Sequence, residues 1–516
     1  MIRTLVLLAA LAALAATAPG GAAVSSAVAP SETATVAIDA TAAAERLLRG
    51  AGARQLSPQL GLWSLDGAAA ARLVPRLRRL GALRYAEPAR RRDLFVRFTD
   101  PLTSPERAYH LYTVGVDRVE QPGPGFPVTV IDSGIDLGNP EFAGRPDVVE
   151  LNPQLVPTTA EGEYHGTQVA TVAAAARNGI GTEGVYSTAA LRSYDLEGDL
   201  SDPSIIAAIE ASVAAGPSVI NISLGGPGDS RALCEAIARA VGLGSLVVAA
   251  AGNELREGNP AIYPASCPHV LTVGSVGPTL QPSPFSSASA AVDLAAPGER
   301  LPVTLPDGSA RLTSGTSFAA PVVSAAAAWV RTVRGPMHHT QLFDLLRFSA
   351  RDAADPGFDQ RTGFGVLDLP AALTAALPPV DPQEPNDDVA HVAAGGLFER
   401  PKQLVSTRFR ARLDATEDPR DVYRVSVPPG RRLTATVAPT DDVTVALYAP
   451  DARTVLRPQG RLAFSDRFGA SNERVVYTNR TRRAVVLHLA VAPALGSGAA
   501  NPQYTVTLTR MPSPRR

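Results

Sequence analysis

The chain has 516 residues, enough for two to four domains that each bury a core. Apolar residues make up 45% and charged residues 19%, which excludes a disordered chain. A net charge of −1 gives no sign of an electrostatic partner such as nucleic acid or an anionic membrane, and none is expected.

In chain order, the first signal is an export signal. Met1-Ile-Arg3 is a short positive segment, residues 4–16 form an apolar run, and residues 19–23 supply small residues for cleavage. Residues 1–23 therefore read as a secretory signal peptide, and the product is expected outside the cell. No later segment has the ~20 uninterrupted apolar residues a membrane span needs. Residues 24–99 are rich in Ala and Arg, with a helical stretch at 68–80 and a strand-like run at 83–88. They fit either a small αβ domain or a poorly ordered leader. From about 126 to 330 short β-branched runs (128–131, 218–222, 246–249, 270–273) alternate with Ala-rich helical stretches. Such alternation predicts an α/β domain, a doubly wound parallel sheet with helices on both faces. A Pro/Asp-rich linker covers 378–388. Beyond it, segments of strand period separated by turn signals predict an antiparallel β-sandwich over 389–516.

Three motifs carry chemistry. Val128-Thr-Val-Ile-Asp132 ends a strand on a carboxylate, His165-Gly-Thr opens an Ala-rich helix, and Gly315-Thr-Ser317-Phe-Ala-Ala-Pro321 opens another. Pro321 is expected in about the first turn of that helix, where proline is tolerated. A serine hydroxyl becomes a nucleophile when a histidine takes its proton, and the histidine needs a carboxylate to fix its tautomer. Asp132 at the carboxyl edge of a parallel strand stands where α/β sites form. Ser317 at a helix N-terminus has free N–H groups beside it. A fourth segment, Ala250-Ala-Gly252-Asn253, ends a buried strand on an amide able to donate to an oxyanion. Ser223-Leu224-Gly225-Gly226 has glycines that let a substrate backbone approach.

With these residues stated, the chain resembles the subtilisin-type serine proteases. The matching pieces are Asp132-Ser-Gly134, His165-Gly-Thr167, Ser223-Leu-Gly-Gly226, Ala250-Ala-Gly-Asn253, Tyr263-Pro-Ala265, Ala296-Pro-Gly298 and Gly315-Thr-Ser-Phe-Ala-Ala-Pro321, in the family's order. The resemblance covers roughly residues 100–375. It implies that Asp132 orients, His165 is general base and acid, Ser317 attacks and Asn253 stabilises the oxyanion, with no catalytic cofactor. It also implies a catalytic domain over 100–377, an inhibitory propeptide over 24–99, and protein or peptide substrates for a monomeric secreted enzyme. The region from 389 resembles the small sandwich domain appended to secreted bacterial peptidases. An S1 pocket would be walled by 223–226 and by Ala250 to Asn253. Ile262 would form its floor, where glycine is common. Tyr164 and Gln168 depart from the usual glycine and histidine, which leaves the cleft's shape open. Glu141 and Asn178 match calcium-holding positions of relatives, and the alternative for them is ordinary loop residues.

Cys234 and Cys267 are the two cysteines. In an exported chain they are expected to pair, since two thiolates make an incomplete zinc site. Asn221-Ile-Ser223 and Asn479-Arg-Thr481 match glycosylation sequons, the first within a predicted buried strand. Two other function classes compete. Gly315-Thr-Ser-Phe-Ala319 approaches the esterase elbow, but that fold orders its triad Ser, acid, His, and here the order is Asp, His, Ser. A binding protein on a dead protease scaffold would have lost a triad member, and this chain keeps all three.

Overall fold

A computed structural model describes residues 33–88, 100–155, 164–305, 308–381, 383–392, 394, 399, 406–494 and 502–512. The expected signal peptide and the segment 89–99, which includes most of the expected propeptide cleavage region, lie outside them. No described helix is long and apolar enough to cross a membrane. The chain divides into two compact units, Met1–Asp93 and Leu94–Arg516.

In the first unit the αβ alternative holds. Four antiparallel strands run in the order Arg54–Ser57, Leu62–Asp66, Thr33–Ile38, Leu83–Pro88. The helices Ala42–Gly50 and Gly67–Arg79 start on the caps Thr41 and Asp66, whose side chains accept from Ala44 N and Ala69 N. Their apolar stripes bury Leu48, Leu73 and Leu77 against Val36, Ile38 and Trp63.

The second unit is built on a seven-stranded sheet. Its spatial order is Leu294–Pro297, Val270–Val276, Leu246–Ala250, Val219–Ile222, Val128–Asp132, Leu191–Asp195, Val148–Glu150, all parallel. Alternation sends Val128 and Val130 to one face and Ile131 to the other. The first face carries the helices His165–Ala174 and Thr316–Arg334, the second Asp202–Ala214 and Arg231–Gly242. From Val128–Asp132 the chain crosses to the edge strand Val148–Glu150, comes back to lay Leu191–Asp195 between the two, and then places Val219–Ile222 on the other side of Val128–Asp132. The carboxyl ends of those last two strands therefore flank a topological switch point, where open α/β sheets form their crevice.

Residues 406–494 and 502–512 form two four-stranded antiparallel sheets around a core of Tyr423, Leu433, Val445, Leu489 and Val506. Asn479 is fully buried there, its amide donating to Val427 O and Arg483 O, so that sequon is no sugar acceptor. The sandwich meets the α/β part through buried charge. Arg347, on the helix His339–Phe348, lies 3.3 Å from Asp293 and 2.9 Å from Asp414, with the Phe364 ring 4.6 Å beneath it. Arg412 of the sandwich reaches Asp344 at 2.5 Å.

Candidate active site

The β-branched run before Asp132 makes a buried strand, and the chain leaves it through Gly134, whose φ is +78°. The histidine helix begins directly against that exit. A Cβ on Gly166 would stand 2.4 Å from Gly134 O and 3.0 Å from the Asp132 Cβ, so only glycine permits the approach. Ser133 Oγ accepts from Gly166 N at 3.0 Å and Thr167 Oγ1 from Asp136 N at 2.8 Å. These bonds tie the aspartate's loop to the histidine's helix. His165 Nδ1 consequently lies 2.9 and 3.0 Å from the two oxygens of Asp132, which is 3% exposed. With Nδ1–H donating, Nε2 is the free proton acceptor. Burial disfavours the imidazolium, but the charge and hydrogen bond of Asp132 outweigh it and hold the His165 pKa above its ordinary value.

Ser317 is the second residue of the helix Thr316–Arg334. Its Oγ donates to Ser223 O at 2.9 Å, and the Phe318 ring lies 5.4 Å from the His165 ring. Pro321 sits deeper than the sequence reading placed it. It is the sixth helical residue, where a backbone donor to residue 317 would otherwise stand.

Asn253 follows Gly252, whose φ of +101° turns the chain out of the strand. Its Oδ1 accepts from both Thr316 N (3.0 Å) and Thr316 Oγ1 (3.1 Å), which aims the NH₂ away from that threonine. Thr316 also accepts from Gly252 N at 3.2 Å. Sequence reasoning passed over Thr316, although its place beside Ser317 was a signal. A hydroxyl there can orient an amide that a methyl could not.

The segments expected to bind substrate meet. Gly226–Pro227 pairs antiparallel with Ile262–Tyr263. Ile262 is buried between Gly225 and Gly252: a Cβ on either glycine would lie 2.9 or 2.8 Å from the isoleucine's branches. Glu254 borders the same space, its Oε2 accepting from Asn253 N and Ser287 Oγ. Ala250 ends the neighbouring strand. A cleft of about 420 Å³ opens over the carboxyl ends of Val128–Asp132 and Leu191–Asp195, lined among others by Asp132, His165, Asp195, Ser223 and Leu224. The departures Tyr164 and Gln168 are both buried, with Asn139 Nδ2 donating to Tyr164 Oη at 2.5 Å. Cys234 and Cys267 form a disulfide across 33 residues.

Two places suit a hard cation unequally. Glu141 and Asn178 do meet, but the amide nitrogen faces Glu141 Oε2 at 3.3 Å, and Asn178 Oδ1 accepts from Ile180 N. Glu141 Oε1 already takes bonds from Thr182 and Thr304, and burial pushes its pKa up to about 7. At the linker, Asp381, Glu384 and Asp421 each bring a carboxylate oxygen within 4.8 Å of the others. Oδ1 of Asp381, of Asp421 and of adjoining Asp418 is buried without a hydrogen-bond partner among the described residues. Glu384 spends both its oxygens on Asn386, so the oxygens open to a cation such as Ca²⁺ belong to the three aspartates.

Residues 123–365 match the Subtilase family. Over 249 residues the chain is 36% identical to a subtilisin of Bacillus pumilus, an alignment covering 46% of this chain and 90% of that one. Identity is also 36% over 249 residues with subtilisin amylosacchariticus of Bacillus subtilis subsp. amylosacchariticus, and there the chain spans 65% of the relative's length. Fervidolysin from Fervidobacterium pennivorans, a keratinolytic enzyme related to subtilisin, superposes with a TM-score of 0.48 at 22% identity, over 86% of this chain and 68% of that one.

Proposed function

The chain belongs to the subtilase family, and from that premise we propose that it is a serine endopeptidase acting through Asp132, His165, Ser317 and Asn253. The observation that carries this is the hydrogen-bonded His165–Asp132 pair at the switch point of the sheet, shared with the Ser317 helix start and an Asn253 amide oriented by Thr316. In the reaction the Ser317 hydroxyl turns from Ser223 O to His165 Nε2 and gives up its proton as Oγ attacks the scissile carbonyl. The oxyanion forms beside the Asn253 NH₂ and the helix N-terminus. His165 then returns the proton to the leaving amine, and water hydrolyses the acyl-enzyme by the same route. Serine-directed phosphonyl reagents should label Ser317 and stop peptide hydrolysis, and Ser317→Ala should be inactive. Full hydrolysis by that variant refutes the assignment.

The finer reading extends from this. The enzyme is secreted after loss of residues 1–23 and acts as a monomer on proteins or peptides. Residues 24–99 are a propeptide that the enzyme removes from itself near 93–100. The compact αβ unit within them supports this, and the Ser317→Ala precursor should keep that unit attached. Residues 100–377 are the catalytic domain, 378–388 the linker and 389–516 the sandwich domain. Ile262, wedged between Gly225 and Gly252, supports a shallow S1 pocket favouring small P1 residues. A structural calcium is better supported at the linker carboxylates than at Glu141 and Asn178, because Asp381, Asp418 and Asp421 each keep one oxygen without a partner among the described residues. Adding Ca²⁺ to chelator-treated protein should raise Tm, and Asp421→Asn should abolish that gain.

A further inference from the structure

Proline has no N–H, so Pro321 cannot donate to the carbonyl of Ser317, four residues before it. The Ser223 hydroxyl takes that place, donating to Ser317 O at 2.7 Å. Ser223 Oγ itself accepts from Asn221 Nδ2 at 2.9 Å, and Asn221 Oδ1 accepts from Ser324 Oγ at 2.9 Å. Ser324 lies on the same helix as Ser317, about two turns on. The bonds therefore close a circuit from helix to strand to loop and back to the helix. Asn221 and Ser324 are fully buried and Ser223 is 2% exposed. Asn221 is the one amide in a strand whose other members are Val219, Ile220 and Ile222. Burying an amide there is costly unless it is bonded, and this one spends both its nitrogen and its oxygen on the two serines.

We propose that Ser223, Asn221 and Ser324 are positioning residues for the Ser317 nucleophile. The inference rests on the reading of Ser317 given above. Ser223 holds Ser317 twice, accepting from its hydroxyl with its own carbonyl and donating to its carbonyl with its own hydroxyl. Asn221 aims the Ser223 hydroxyl, and Ser324 sets the orientation of the Asn221 amide. Neither Asn221 nor Ser324 is accessible to a substrate, so any effect of theirs on the reaction passes through Ser223 and Ser317.

The test is steady-state kinetics on Ser223→Ala, Ser324→Ala and the double variant. It is run alongside the rate at which a small phosphonofluoridate modifies Ser317, a readout that needs no peptide pocket. A misplacement near 1 Å costs on the order of a hundredfold, so Ser223→Ala should lose roughly ten- to a hundredfold in kcat. Its KM should stay within about twofold, with phosphonylation slowed in parallel. Ser324→Ala should lose about two- to fivefold the same way, and the double variant less than the product of the two, as residues sharing one network do. A lowered Tm with kcat and phosphonylation unchanged would make the circuit packing alone and overturn the proposal, as would a rise in KM only. Should Ser223→Ala not fold, Ser324→Ala carries the same test, since it removes one oxygen from a packed helix. Hydrolysis surviving in Ser317→Ala would sink the nucleophile assignment. An inactive Ser317→Ala beside unaffected positioning variants would sink only the circuit.

Discussion

The switch point of the α/β sheet and the junction between linker and sandwich are both crowded with buried polar groups, and they are balanced differently. At the switch point donors and acceptors match within the chain: Asp132 with His165, Thr316 with Asn253, Ser223 with Ser317. At the junction, carboxylates outnumber their partners. Burial and then the charge of Asp421 push Asp381 up to about 8, and Arg347 and Arg412 are shared among Asp293, Asp344, Asp381 and Asp414. A satisfied network holds one geometry by itself, whereas an acid-rich one depends on counter-charge. The first region is satisfied by its own groups, and in the second the sandwich docks through the fixed cations Arg347 and Arg412.

The largest expected effect breaks the balance at the switch point. Asp132→Asn should cost about 10⁴-fold in kcat by imposing the wrong tautomer on His165. The pH profile sharpens the point. His165 must be neutral to accept a proton, and Asp132 raises its pKa, so the acid limb of kcat/KM should lie above the ordinary ~6.5 in the native enzyme. It should move down in the variant; a limb that stays in place would mean another group titrates.

At the junction, Arg347→Ala leaves Asp293 and Asp414 buried without their shared cation. A loss of ~3–5 kcal/mol in denaturant unfolding is expected, with Arg347→Met costing less because it keeps the packing on Phe364. Equal losses would show that charge is not what the junction needs. Next in size is the disulfide Cys234–Cys267, whose 33-residue separation corresponds to ~3–4 kcal/mol in the chain-entropy model. Thiol labelling of native protein should find neither cysteine free, and reduction should lower Tm. Smallest is Ile262→Gly. Each methylene of misfit is worth ~1–3 kcal/mol, so opening the pocket floor should shift P1 preference from Ala toward Phe by tens-fold in kcat/KM. Native preference for Phe, unchanged by the substitution, would remove Ile262 from the floor.

Much of the fold was legible because its signals are local. Four β-branched runs marked four of the seven strands of the large sheet, while Leu294–Pro297, which has no β-branched residue, Leu191–Asp195, broken by Arg192, and the three-residue Val148–Glu150 passed unmarked. Asp132, His165, Ser317 and Asn253 were nameable because each sits in a short motif at the end of an element. Thr316 and Ser324 were not, since a lone hydroxyl in a helix has many uses and its partner is fixed only when the strands are in place. Arg347, Asp293 and Asp414 pair across more than fifty residues of sequence. Three isolated charges have no period by which to find one another. Pro321 lies just beyond the first turn, and its tolerance there depends on a substitute donor from the loop after Val219–Ile222, which no local signal reveals.

The sandwich has a consequence for how the protein is made. The strand Gln503–Pro512 lies inside its sheet, bonded on one side to Ser406–Arg412 and on the other to Arg431–Pro439. During translation those two strands emerge first and must wait, each with an edge open, until some sixty further residues have left the ribosome. The α/β domain can complete its sheet long before. Nascent chains are therefore exposed to edge-to-edge association late in synthesis, and the hazard falls on the sandwich rather than on the α/β domain.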